Sequence, residues 1–84
     1  MPRYFFDFHE GSKVSLDEDG TVLPDMQTAR DEATEALLEV GKETLPTNGE
    51  ERSLSVSVRD EKGERVLTIT ITYSEVPPDW VRRP

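Results

Sequence analysis

The sequence predicts a two-layer α+β domain in the order β-β-α-β-β, an antiparallel sheet with one helix packed on one face. Three observations carry this expectation. Aromatic residues recur at period two near the N-terminus, apolar residues recur at spacings of three and four in the middle, and two long alternating segments joined by a glycine turn fill the second half.

In the first segment, Arg3 to His9, Tyr4, Phe6 and Phe8 share one face, while Phe5, Asp7 and His9 share the other. Aromatic side chains suit a pleated, half-buried surface, so this segment is expected as a strand. Glu10-Gly11-Ser12 reads as a turn. Lys13 to Leu16 alternates again and is expected as a short strand with Val14 and Leu16 turned inward. Asp17-Glu18-Asp19-Gly20 is a hydrated turn signal whose glycine suits a positive φ. Thr21-Val22-Leu23 is a stub of strand or an extended approach to a helix.

The helix is expected to begin at Leu23-Pro24-Asp25, where Asp25 can accept from the free amides of the first turn. Met26, Ala29, Ala33, Ala36, Leu37 and Val40 then form one stripe, with Asp31, Glu32, Glu35 and Glu39 as a solvated face. Small alanines in the stripe let the helix axis lie close to a sheet. Gly41 either caps the helix or sits within its last turn. Pro46 ends any continuation, and Thr47-Asn48-Gly49 reads as loop.

Ser53 to Asp60 places Leu54, Val56 and Val58 on one face and Ser55, Ser57 and Arg59 on the other. After the Asp60-Glu61-Lys62-Gly63 turn, Arg65 to Tyr73 sets Leu67, Ile69, Ile71 and Tyr73 inward and Val66, Thr68, Thr70 and Thr72 outward. Residues 1–73 are thus read as one domain. Residues 74–84 are read as a tail in which Pro77-Pro78 forbids regular structure and Trp80 stands alone. The expected core is Tyr4, Phe6, Phe8, Val14, Leu16, Met26, Ala29, Ala33, Leu37, Val40, Leu54, Val56, Val58, Leu67, Ile69 and Ile71.

At 84 residues with 33% hydrophobic content, the chain buries only about 60–65% of its unfolded surface and has little apolar material to spare for a deep cavity. The absence of cysteine removes disulfides, thiolate chemistry and cysteine zinc sites, and points to a reducing, cytoplasmic home. Tyr4-Phe5-Phe6 is interrupted at once by Asp7 and His9, so no signal-peptide core is read there, and no apolar run is long enough to span a bilayer. The formal charge of −8 is concentrated: residues 17–51 hold eleven acids against Arg30 and Lys42, whereas residues 52–84 hold six basic residues against five acids. Such an acidic segment repels phosphate backbones and argues against direct nucleic-acid binding there.

Candidate chemistry is sparse. His9, the one histidine, shares a strand face with Asp7 at i and i+2, roughly 6.5–7 Å apart along the strand. No Gly-x-Ser-x-Gly elbow accompanies them, and His9 reads as a surface histidine on a solvated face. Asp17, Glu18 and Asp19 lack the alternating ligand spacing of a calcium loop, so no metal or cofactor is expected. The isolated glycines sit at turns and form no phosphate cradle. The outward sheet face remains, and its Phe5, His9, Thr68 and Thr70, with Trp80 from the tail, form the expected interaction surface for a protein partner or a second copy.

Met1-Pro2-Arg3-Tyr4-Phe5-Phe6, Asp17-Glu18-Asp19-Gly20, Leu23-Pro24-Asp25, Ala29-Arg30-Asp31-Glu32-Ala33 and the hairpin Val58 to Leu67 together resemble a family of short bacterial proteins catalogued as a domain of unknown function. The likeness extends to about Tyr73. It departs at Asp7, where that family would more often place histidine. The resemblance implies a bacterial origin and transfers no catalytic residue. A fainter likeness, through Leu23-Pro24-Asp25 and the Ala/Glu-rich helix, is to the sheet-and-helix domain of HicB-type antitoxins, though the glycine-containing loop of that group is missing. The expected function is therefore a non-catalytic protein-interaction module; the alternative is an acidic antitoxin-like regulator that binds a basic toxin or nuclease.

Overall fold

The C-terminal hairpin organises the domain in a computed structural model that describes residues 1–44 and 51–75. The expected Pro46 stop, the Thr47–Gly49 loop and Trp80 with its Pro77-Pro78 tail lie outside the described residues. The elements are β1 (Arg3–Glu10), β2 (Lys13–Ser15), β3 (Thr21–Val22), α1 (Met26–Thr44), β4 (Arg52–Arg59) and β5 (Arg65–Tyr73). The sheet is antiparallel in the order β2-β1-β4-β5, with β3 also paired to β1.

Turn chemistry sets each register. Glu10 pairs with Lys13 across Gly11-Ser12, and Gly11 has φ +60° while no non-glycine residue has positive φ. That is the pattern of a type II′ hairpin, with glycine at its first central position. Between β4 and β5, the Gly63 amide donates to the Asp60 carbonyl, and the Asp60 carboxylate accepts from the amides of Lys62 and Glu64. Gly63 takes φ +85°, which closes a three-residue loop, and farther along a register shift between Val58 and Arg59 leaves Val66 of β5 as an extra, bulged residue.

Asp25 caps α1: its carboxylate accepts from both the amide and the hydroxyl of Thr28, each at 2.8 Å. Those two donors hold the Asp25 carboxyl below its ordinary pKa. Ala29, Ala33, Leu37 and Gly41 form the buried stripe, so Gly41 lies within the helix rather than ending it. Ala29 and Ala33 are fully buried, and their small side chains bring the axis close to β4 and β5. Leu37, Val56 and Val58 are the largest fully buried apolar side chains, each worth about 1.5–3 kcal/mol. Phe6, Phe8, Met26, Val40, Leu67, Ile69 and Ile71 pack around this centre, half-buried.

Three core expectations are corrected. Val14 is 53% and Leu16 65% exposed. The period in β2 was right and its phase was not: the two-residue turn sets Val14 opposite His9 and Ser15 opposite Phe8, so Val14 stands on the helix-free face. Leu16 falls beyond the end of β2, in the loop to β3. Conversely Leu23, read only as an approach to the helix, is buried in the core, and its amide donates to the Pro2 carbonyl. Among the described residues, no helix is long and apolar enough to cross a membrane.

Candidate interaction face

The two sheet edges are built differently. β2 and β3 are pieces of one interrupted strand along the outer side of β1: Phe8 faces Ser15, and Tyr4 faces Thr21. Between these pairs β1 has three residues and its partner has five, so two extra residues bulge out at the Asp17-Glu18-Asp19-Gly20 segment. The opposite edge, β5, is nine residues long and has no neighbour beyond it among the described residues.

Asp17 gives the bulge its shape. One oxygen of its carboxylate accepts from the Phe6 amide at 3.1 Å, filling the gap in the β1 ladder. The other accepts from the amides of Asp19 and Gly20. Burial alone would raise the Asp17 carboxyl, but the amides of Gly20, Phe6 and Asp19 outweigh it and hold its pKa below the ordinary value. Gly20 takes φ +73° and lies so close to Phe5 that an added Cβ would sit 2.8 Å from its ring.

A charge clamp crosses the helix-free face to this bulge. Arg59 of β4 donates through Nε to Asp7 Oδ2 at 2.6 Å and through Nη2 to Asp7 Oδ1 at 3.1 Å, a two-pronged pair. The same Nη2 donates to the Asp17 carbonyl at 3.0 Å, and the Asp17 amide donates to Asp7 Oδ1. The guanidinium lies 5.0 Å from the centroid of the Phe5 ring, over its face. Asp7 is therefore 2% exposed, although its alternation had placed it on a solvated face. The guanidinium hydrogen bond holds the Asp7 carboxyl below its ordinary pKa against the opposing effect of burial, and the reciprocal bond raises Arg59.

The remaining outward residues form a hydroxyl ladder. Ser53 meets Thr72, Ser55 meets Thr70 at 2.8 Å, and Ser57 meets Thr68. Of the expected surface, Phe5 and His9 on β1 and Thr68 and Thr70 on β5 share this face, separated by β4. Phe5 is half-buried beneath Arg59 and against Gly20 rather than free. His9 is half-buried between Val14 and Ser55, and its Nε2 is closed off from solvent with no hydrogen-bond partner, so the reading of it as a solvated surface histidine is corrected. Trp80 lies outside the described residues. The Asp7–Arg59–Asp17 clamp is the feature that reading each strand separately missed.

Near the β1–β2 turn, an open hollow of about 570 Å³ is lined mainly by Phe8, His9, Val14, Val40 and Leu54. Among the described residues, no three His, Asp or Glu side chains gather as a metal-binding group.

The sequence pattern of the domain of unknown function DUF6894 matches residues 3–72, from β1 almost to the end of β5. The chain belongs to the DUF6894 family. The match takes in both hairpins, α1 and every residue of the clamp, so in this DUF6894 domain the sealed edge and nearly all of β5 lie inside the family unit. No curated protein and no solved structure matches the chain.

Proposed function

We propose that this DUF6894 domain is a small, non-catalytic protein-interaction module of the bacterial cytoplasm, engaging its partner through the open β5 edge and the adjoining helix-free face. The observation that carries this reading is the contrast between the edges. Natural sheets protect their edges with short strands, bulges and charges, and the β2/β3 edge has all three. β5 has a bulge only at its start, at Val66, and from Leu67 to Tyr73 it runs on regularly as alternating Leu, Ile and Thr with no charged residue. An exposed edge of this kind supplies backbone donors and acceptors to an added strand, while alternate side chains select it. The hydroxyl ladder beside it fixes the rotamers of Thr68, Thr70 and Thr72, which lowers the entropy lost when a partner docks.

The test is an affinity pull-down from the source bacterium paired with mass measurement at native concentration. A specific protein, retained by the native domain and lost when Thr68 and Thr72 are both replaced by Lys, is the expected result. A strict monomer retaining nothing contradicts the proposal.

A second reading is favoured by α1, where Glu32, Glu35 and Glu39 line a shallow groove with Ala36. That acidic side suits a basic toxin or nuclease. This reading requires a small basic protein encoded beside the domain, whose toxicity falls on co-expression.

A further inference from the structure

We infer that the strand that covers β5 is β5 of a second copy, paired antiparallel about a two-fold axis through Thr70. This rests on the reading of β5 as the interaction edge and names its occupant. The chain carries a net charge of −8, so two copies repel each other over most of their surface. Val66 to Ser74 is free of charge, so this edge can be shared without setting acid against acid.

Face and charge together select the register. A pairing that keeps the helix side continuous must join odd positions to odd ones, because a one-residue slip would set Ile against Thr. About Thr70, Ile69 of one copy faces the partner's Ile71, Leu67 faces the partner's Tyr73, and Thr68 faces the partner's Thr72. The half-buried Leu67, Ile69 and Ile71 at the edge of the core then continue into their counterparts. The hydroxyl ladder likewise runs on from one sheet into the other. This register pairs the regular, uncharged segment Leu67 to Tyr73 with itself over its whole length, whereas a shift of the axis by one residue toward the turn draws the bulged Arg65–Val66 stretch into the ladder. The β2/β3 edge offers no equivalent, since its pieces are three and two residues long and are parted by the Asp17 bulge.

The experiment is sedimentation equilibrium on the full chain and two double variants, with circular dichroism to verify folding. The native chain is expected to sediment at twice the monomer mass. T68K/T72K places Lys opposite Lys at two positions and should weaken self-association about tenfold. T68K/T72E changes the same two residues but places Lys opposite Glu, and should restore the dimer to within about threefold of native. A native monomer, equal loss in both variants, or no loss in either overturns the inference. A monomer that still retains a cellular protein through β5 ends self-pairing and leaves the interaction reading standing.

Discussion

Replacing Arg59 by Met destabilises the domain strongly at neutral pH and less near pH 4. The substitution keeps the aliphatic stem over Phe5 but removes the two-pronged partner of Asp7, a carboxylate that is 2% exposed. Leaving such a charge uncompensated costs about 3 kcal/mol, the lower part of the range for buried pairs because water still reaches part of the site. In a domain of this size that lowers the melting midpoint on the order of 15 °C. The pH dependence follows from the sign of the Asp7 shift. In the native domain its folded pKa is lowered, so its contribution is complete above the unfolded value, about 3.9, and is lost as pH falls through the folded value. Without Arg59 the largest influence lowering the Asp7 carboxyl is lost and burial, which raises it, remains, so the folded pKa moves upward. The penalty is then full at neutral pH and fades as the carboxyl protonates. Urea denaturation of both proteins at pH 7 and pH 4 checks this. A deficit of the same size at both pH values would show that Arg59 acts through packing and not through Asp7.

Gly20→Ala is expected to cost about 3 kcal/mol, the sum of two effects. At φ +73° an L side chain adds roughly 1–2 kcal/mol of backbone strain. The new Cβ would also sit 2.8 Å from the Phe5 ring and 2.9 Å from Arg3 Cγ, and such overpacking adds about 1–3 kcal/mol. Gly11→Ala and Gly63→Ala separate the two. Both glycines have positive φ, but an added Cβ meets nothing within 4 Å, so only the backbone contribution of about 1–2 kcal/mol remains. Chemical denaturation of the three variants measures the difference. If Gly20→Ala is no worse than the other two, the contact between the bulge and Phe5 contributes nothing to stability.

These two sites also show what was legible in the sequence. The β4–β5 hairpin, β1 and the alanine stripe of α1 were readable because each has a local period and a turn or cap residue of known geometry. Gly20 was readable as a positive-φ glycine for the same reason. The clamp was not, because it depends on register. Asp7 and Arg59 are 52 positions apart, and only the pairing of Phe5 with Arg59 and Asp7 with Ser57 brings them together. The available signal was an Asp and an Arg on the outward faces of two adjacent inner strands. Val14 failed for a related reason: alternation gives a period but no phase, and the Gly11-Ser12 turn decides the phase. Leu16 could not be saved by any period, since the loop begins there. Asp17 looked like one of three hydrated acids, and nothing local distinguishes it from Glu18 and Asp19. Its carboxylate turns inward because the β1 ladder leaves the Phe6 amide to be satisfied.

The central claim is that, among the described residues, one edge of this sheet is sealed by its own side chains while the other is left open. Backbone hydrogen exchange measured at low protein concentration tests it most directly. The Phe6 and Asp17 amides, held by carboxylates across the bulge, are expected to exchange slowly, and the β5 amides directed away from β4 rapidly. Rapid exchange at Phe6 and Asp17, or outward β5 amides protected to the level of β4 under the same dilute conditions, would contradict it.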